Sequence, residues 1–389
     1  MQEIPIVLIG HKDHGKSTFI GRLLLDTKSI KESRVKEVKE VDKSDGRKFE
    51  LAHLLDSFKE ERDREMTMDT TRAFLKGKER NYQLIDVPGH GELIANMLTG
   101  AAGAEVALLL VDIKEGIREQ TRQHLEVAHL LGIEQLGVVI NKMDKVGYKK
   151  EAFDKIKEKL KAALNDIGYL SEKIHFFPVS AWKGDNVFKK SENMNWYQGP
   201  TVMEFLEKEV KESKSLESSP LLFNCQDNYD GLLIGKVESG VLKVGQGVIV
   251  LPQNKQGVVE AIKDSEADFK EARAGQNVGI RVVGKNLESV SLSRGTAVVA
   301  YQSPLKVDQV LVGEIFWLEK PSQKKLILEC GTAKTAGFLQ EVGLVRQGKK
   351  SSYKVLLEKP TVFDPTGNTI FGKIVLKDKG KIIGVGNVL

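Results

Sequence analysis

The segment Gly10-His11-Lys12-Asp13-His14-Gly15-Lys16-Ser17 fits the pattern G-x-x-x-x-G-K-[ST] and directly follows the apolar run Ile4–Ile9. These residue types at this spacing suit one task, the holding of nucleotide phosphates. Glycines at both ends let backbone N–H groups turn inward around an anion. A helix expected from Thr18 to Leu25 adds the positive end of its dipole. Lys16 supplies a compact ammonium for the β- and γ-phosphates, and Ser17 a hydroxyl ligand for Mg²⁺. A chance glycine loop would lack both the Lys-Ser end and the preceding strand.

Three further motifs close later β-like runs. Asp86-Val87-Pro88-Gly89-His90 places an aspartate where it can hold Mg²⁺ through water, and Gly89 where its N–H can reach a γ-phosphate. Asn141-Lys142-Met143-Asp144 offers Asp144 as acceptor for N1–H and the 2-amino group of guanine. Adenine has an acceptor at N1 and no 2-amino group, so it would leave a buried carboxylate unpaired. Ser180-Ala181, with Trp182 beside them, would close over the base through backbone N–H groups. Each short motif is weak alone. Four in this order, each at the end of a β-run, specify GTP and GDP. The candidate nucleotide-binding set is Gly10, Asp13, His14, Gly15, Lys16, Ser17, Thr18, Asn141, Lys142, Asp144, Ser180, Ala181 and Trp182. Within it His14, like His11, is read as loop scaffolding, and Asp13 as support for the loop's charge and the cation.

The elements that must position these residues are legible up to about residue 212, where β-like runs alternate with amphipathic helical stretches. Strands are expected at Ile4–Ile9, Tyr82–Val87, Val106–Asp112, Leu136–Asn141 and His175–Val179. Helices are expected at Thr121–Leu131 and Glu151–Ile167, stopped by Gly132 and Gly168. Thr70–Lys76 and Tyr82–Val87 flank Gly77-Lys78-Glu79-Arg80, which reads as an edge hairpin. Lys211–Pro220 reads as a linker. Short Val/Ile/Leu runs separated by glycines then follow, at Gly235–Val250, Gly257–Ile262 and Val278–Val283, the composition of barrels. A break near Gln302-Ser303-Pro304 divides this part. The expected fold is an α/β P-loop domain (1–212), a mostly parallel sheet with helices on both faces, followed by two small antiparallel β-barrels (213–302 and 303–389).

Size and composition bound the reading. A chain of 389 residues is too long for one compact core, and 41% hydrophobic with 29% charged residues is ordinary globular composition. No apolar run has transmembrane length, and Cys225 and Cys330 have neither metal-ligand spacing nor a disulfide framework, so a reducing cytoplasm is expected and no membrane partner. A net charge of +5 permits an RNA partner without demanding one.

A long interval separates Ser17 from Asp86. Ile30–Asp42 and Phe49–Phe58 carry apolar residues at helical spacing, and Glu60–Asp69 is densely charged. Such a run is usually a solvated helical face. Beside a GTP site the preferred reading is a switch segment in which Thr67 joins Mg²⁺ only when the γ-phosphate is present. The candidate metal set is Ser17, Thr67 and Asp86.

Taken together, the chain resembles the translational GTPases, most closely archaeal and eukaryotic elongation factor 1-alpha and the related elongation factor Tu. The matching stretches are Gly10–Thr18, Leu55–Asp69, Asp86–Gly100, Asn141–Asp144 and the idiosyncratic Pro178–Pro200. Gly235–Gly245 resembles part of the family's second domain; Leu328–Ala333 and Gly372–Val388 resemble parts of its third. The resemblance implies GTP hydrolysis, a switch that rearranges the barrels, and ribosome-stimulated turnover. It assigns His90 to orienting the attacking water, with Gly89 and Lys16 completing the catalytic set. It also implies aminoacyl-tRNA and the ribosome as partners, a nucleotide-exchange factor, and a monomer.

The chain departs from the family at three single positions and in two abbreviated segments. Lys12 stands where valine is usual, Met66 where isoleucine is, and Glu65 where glycine is. Lys12 either stabilises transition-state charge in cis, as an arginine finger does, or points to solvent. The loop at Asn224–Leu233 and the third domain are abbreviated, which bears on standard tRNA delivery. The basic stretches Arg346–Lys354 and Lys373–Lys381 either touch RNA phosphates or merely solubilise the barrel. Two rival roles follow: the GTPase subunit of sulfate adenylyltransferase, acting on a partner chain, and a specialised elongation-factor paralogue that carries no standard tRNA. The absence of an insertion between Asp112 and Gln120 suits an archaeal factor and the sulfate-activating subunit equally.

Overall fold

The structure, a computed structural model, describes residues 3–44, 51, 53–54, 71–86, 104, 106–210, 216–264, 267–287, 292–342, 349–367 and 369–389. Of the residues singled out above, Glu65, Met66, Thr67, Gly89 and His90 lie outside this set, as do most of Phe49–Phe58 and residues 343–348. The chain forms two compact units, Met1–Glu212 and Ser213–Leu389.

The first unit is built on a six-stranded sheet. Its strands are β1 (Glu3–Ile9), β2 (Thr71–Lys76), β3 (Asn81–Asp86), β4 (Val106–Asp112), β5 (Gln135–Asn141) and β6 (His175–Pro178). They run in the order β2-β3-β1-β4-β5-β6. All pairs are parallel except the β2–β3 hairpin at the edge, whose turn is the predicted Gly77–Arg80. Among the described residues the helices are α1 (Lys16–Asp26), α2 (Glu32–Ser44), α3 (Glu119–Leu130), α4 (Lys150–Ile167) and α5 (Val202–Lys208).

Burial on both faces explains why β4 reads as the unbroken apolar run Val-Ala-Leu-Leu-Leu-Val. Ile6, Leu8, Leu84, Leu108 and Leu110 pack with Phe19, Ile20, Leu23 and Leu24 of α1 and with Phe205 and Leu206 of α5. The alternating residues Val7, Ile9, Leu109, Val111, Val138 and Ile140 are equally buried on the opposite face, where α3 lies against β1. Each such aliphatic side chain contributes about 1.5–3 kcal/mol. The helices stop where the chain chemistry says they should. Gly168 caps α4 at φ 111°, and the Tyr169 N–H returns to the Leu164 carbonyl at 3.0 Å. Thr201 and Glu204 form a reciprocal capping box on α5.

The chain leaves β1 for β3 on one side and reaches β4 on the other. The carboxyl end of β1 is therefore the point where strand order reverses, the place where α/β sheets of this kind open a crevice for ligands. Residues 10–17 lie there. Because β1, β3, β4, β5 and β6 are parallel, the segments after each of them gather at the same edge.

The second unit contains two closed antiparallel barrels. Its strands are β7 (Leu222–Tyr229), β8 (Leu232–Ser239), β9 (Val241–Lys243), β10 (Gly247–Leu251), β11 (Lys255–Lys263), β12 (Asp268–Phe269), β13 (Glu271–Arg273), β14 (Asn277–Val283) and β15 (Ala297–Val299), then β16 (Lys306–Trp317), β17 (Lys325–Cys330), β18 (Ala333–Val342), β19 (Lys349–Phe363), β20 (Lys373–Asp378) and β21 (Lys381–Val388). The first ring runs β10-β15-β7-β8-β14-β11 and closes through β10–β11; the second runs β16-β19-β18-β17-β20-β21 and closes through β16–β21. The segment Asn224–Leu233 is short because β7 and β8 join through a two-residue turn, Asp230-Gly231, both at positive φ. Leu222, Leu251, Ala297 and Val299 of the first barrel lie in the same apolar core as Leu311, Trp317 and Leu328 of the second. The Thr332 hydroxyl donates to the Cys225 carbonyl at 2.6 Å across the two.

Candidate functional site

Lys12–His14 form one turn of 3-10 helix between β1 and α1, and Gly15 begins α1 at φ 88°. α1 thus starts at Lys16, two residues before the expected Thr18. Its first turn, with Lys16, Ser17 and Thr18, opens onto the loop, so the N–H groups left unbonded by the helix point where an anion would sit. Glycine is required at both ends. At Gly10 (φ 144°) a Cβ would meet the Leu110 carbonyl oxygen at 2.4 Å, and at Gly15 it would meet the Asn141 Nδ2 at 2.6 Å. Gly15→Ala therefore combines left-handed backbone strain of about 1–2 kcal/mol with a clash. Calorimetric titration with GTP is expected to show affinity lowered at least about tenfold; unchanged affinity would mean that the loop does not hold this shape.

Lys16 is buried, and its Nζ donates to the Gly10 carbonyl at 2.8 Å and the His11 carbonyl at 3.2 Å. Burial pulls its pKa below the ordinary lysine value, while Asp86 and Asp13 pull the other way. Asp86 ends β3 beside Leu8 of β1. The donors offered to a cation here are the Ser17 hydroxyl and the Asp86 carboxylate. Both are hard oxygen ligands of the kind Mg²⁺ takes, so the residues present fit that ion.

Asn141 is the tie between three segments. From the end of β5 its Nδ2 donates to the His14 carbonyl at 3.0 Å. Its Oδ1 accepts from the Ala181 N–H at 3.0 Å and the Lys142 N–H at 2.8 Å. Lys142, at φ 65°, sends its Nζ to the Asp13 carbonyl at 2.6 Å and the Asp112 carboxylate at 2.8 Å. Ser180 donates its hydroxyl to Asp144 Oδ1 at 2.7 Å. Arg22 of α1 donates through Nε to the Ala181 carbonyl at 3.0 Å and through an Nη to that of Trp182 at 2.5 Å. The structure thus brings residues 10–18, 86, 141–144 and 180–182 to one edge of the sheet. Asp13 and Trp182 are exposed there, as is Lys12, which lies on the solvent side of the 3-10 turn.

Two participants carry no motif that would have marked them. Asp112, at the end of β4, is almost fully buried. Burial alone would raise its pKa, but hydrogen bonds from Lys142 and the Lys114 N–H outweigh that and hold it below the usual carboxylate range. A depressed pKa contributes stability that is complete above the unfolded value of about 3.9 and is lost as pH falls through the folded one. Melting curves of the chain and Asp112→Asn should therefore differ at neutral pH and converge as pH falls below the unfolded carboxylate value of about 3.9. A gap constant with pH would remove the ion pair from the account. His124 of α3 is the second. Burial first, then Lys16, His11 and His14, hold its pKa down to about 3, so it stays neutral behind the loop.

His14 does not present its side chain to a nucleotide. Its ring is fully buried with Nδ1 3.0 Å from the Leu110 carbonyl, and it is the His14 backbone carbonyl that accepts from Asn141.

Residues 2–222 match the family model of the elongation factor Tu GTP binding domain, and residues 230–298 that of elongation factor Tu domain 2. The chain is similar to elongation factor 1-alpha of Archaeoglobus fulgidus, at 33% identity over 415 residues spanning 100% of this chain and 97% of the relative. It is similar to that of Thermococcus gammatolerans at 40% identity over 296 residues, 73% of this chain and 68% of the relative. Among solved structures it aligns with a crystal structure of sup35 complexed with GDP at 24% identity and a TM-score of 0.42, over 100% of this chain and 94% of the other.

Proposed function

Because the chain belongs to the elongation factor Tu/1-alpha family of GTP-binding proteins, we propose that it is a GTP-hydrolysing switch that binds aminoacyl-tRNA and the ribosome in its GTP form. The observation that carries the nucleotide part is the convergence of Lys16, Asn141 and Asp144 at the carboxyl edge of the sheet, tied by the Asn141 bonds. Asp144 would accept from the guanine N1–H and 2-amino group, with Ser180 holding one of its oxygens in place. The Ser180–Trp182 segment would close over the base. Gly10, Gly15 and the first turn of α1 would enclose the phosphates, and Lys16 would exchange its two carbonyl partners for phosphate oxygens.

Ser17 and Asp86, with Thr67, would hold Mg²⁺, which when bound neutralises charge on the β- and γ-phosphate oxygens. His90 would orient a water in line with the γ-phosphorus, and the Gly89 N–H would hold a γ-oxygen. As the water oxygen bonds to phosphorus, the bond to the β–γ bridging oxygen would break, with GDP leaving and the water's protons carried away on the released phosphate and to solvent. Lys16 meets the charge that develops there. The domain limits we assign are 1–212, 213–302 and 303–389, the last two being the barrels that would engage RNA. Site, partners and a cytoplasmic location are one reading. Among the described residues no helix is long and apolar enough to cross a membrane.

The full-length relatives carry the name elongation factor 1-alpha, which supports this role over sulfate activation. The test is affinity capture of the full chain loaded with GTP or GDP, followed by tRNA sequencing and mass spectrometry. GTP-dependent recovery of aminoacyl-tRNA is expected. Recovery of a sulfate-activating partner enzyme and no tRNA would overturn the translational role while leaving the GTP site intact.

A further inference from the structure

A cluster of three side chains beside the phosphate loop has chemistry that nucleotide binding does not use. His11, His14 and Glu115 each offer a ligand atom, and these atoms lie within 4.8 Å of one another. His11 and His14 come from the loop after β1, with ring centroids 5.3 Å apart; Glu115 comes from the segment after β4.

The protonation pattern makes the cluster unusual. The Leu110 carbonyl can only accept, so His14 Nδ1, at 3.0 Å from it, carries the ring proton. In the neutral imidazole, the form that burial favours, this leaves a lone pair on His14 Nε2, which is buried and has no hydrogen-bond partner among the described residues. Opposite it, at 3.5 Å, stands Glu115 Oε2. Two acceptors therefore face each other where the buried imidazole meets the surface carboxylate. His11 Nδ1 is likewise buried without a hydrogen-bond partner among the described residues.

A cation between them resolves the mismatch. Metal–ligand bonds of about 2.0–2.1 Å in a tetrahedral arrangement put neighbouring ligand atoms about 3.3 Å apart, close to the His14–Glu115 separation. The Leu110 bond to His14 is also the outer-shell contact that metal-ligating histidines ordinarily make, fixing tautomer and ring orientation. We propose that His11, His14 and Glu115 bind one divalent transition-metal cation of the Zn²⁺, Co²⁺ or Ni²⁺ class, with water completing the coordination. Two imidazoles select against Mg²⁺, so the site is chemically separate from the Ser17–Asp86 oxygen site. Bound there, the ion cross-links the phosphate loop to the segment between β4 and α3. Glu115 also lies 3.4 Å from Arg118 Nε, a partially exposed contact that the ion would have to outcompete.

The test uses the untagged full chain, stripped with chelator and titrated with Co²⁺ in excess Mg²⁺ without nucleotide. One Co²⁺ per chain is expected, with the visible d–d bands of a four-coordinate, nitrogen-ligated ion. Glu115→Gln and His11→Asn should each weaken binding at least about tenfold, with far-UV circular dichroism unchanged. Ser17→Ala should bind Co²⁺ as the unaltered chain does. Glu115 is partly exposed, so its glutamine variant is expected to fold even if the His11 variant does not. Binding below one per chain, absence of the bands, displacement by Mg²⁺, or unchanged affinity in Glu115→Gln would each overturn the assignment.

Discussion

Asn141→Ala is expected to lower the unfolding free energy of the first unit by about 3–5 kcal/mol and to cut GTP affinity at least about a hundredfold. The side chain is almost wholly buried and meets three backbone groups: the His14 carbonyl, the Ala181 N–H and the Lys142 N–H. Truncation strands all three inside the protein. Each stranded group costs about 1–3 kcal/mol, because burial denies it a water in exchange. The loss is also structural, since these bonds set residues 10–17, 141–144 and 180–182 in mutual register. Asn141→Asp separates the two effects. It keeps the acceptor for Ala181 and Lys142 but sets a carboxylate against the His14 carbonyl, so it should damage the phosphate loop more than the base-side segment. Chemical denaturation followed by tryptophan fluorescence reads the stability, with Trp182 and Trp196 reporting on this unit. Calorimetric titration reads the affinity. A variant that melted like the parent and bound GTP normally would show that the three segments are held by other contacts.

Asp144→Asn is expected to invert base preference, with GTP affinity falling by about 10² or more and the xanthine nucleotide binding more tightly than GTP. A carboxylate accepts twice, matching the N1–H and 2-amino donors of guanine. An asparagine accepts once and donates once, matching the N1–H and the 2-oxo group of xanthine. The fold has little reason to object, because the asparagine oxygen can still accept from Ser180, whose hydroxyl now lies 2.7 Å from Asp144 Oδ1. Competition binding with GTP, ATP and the xanthine nucleotide measures the change. Equal loss for all three nucleotides would mean that Asp144 supports the segment without reading the base.

The parts of this site that could be read from sequence are those whose chemistry is local. The phosphate loop is contiguous, its strand and helix adjoin it, and Gly77–Arg80 and Gly168 announce a hairpin and a helix stop within a few residues. α1 begins two residues earlier than its apolar spacing suggests because Gly15, at φ 88°, already starts it. Asn141 was legible as a motif member and illegible as a tie, since its partner His14 is 127 residues away. Asp112 and Glu115 carry no sequence signal because each acts through a contact from another strand's loop, and neither sits in a recognisable spacing. The barrels were legible as β-rich composition. The order of strands around each ring is not, because β10 pairs with β15 and β16 with β21 across long separations that alternation cannot encode. Nor does alternation reveal that Leu222, Leu251 and Val299 face the second barrel's core, since a strand buried on both faces loses its period.

The proposed function rests on this edge of the sheet reading guanine and holding its phosphates. Equilibrium titration of the nucleotide-free full chain with GTP and with ATP, in Mg²⁺, tests it most directly. One GTP per chain is expected, bound at least about 10³-fold more tightly than ATP. Equal affinity for the two nucleotides, or binding of neither, would contradict it.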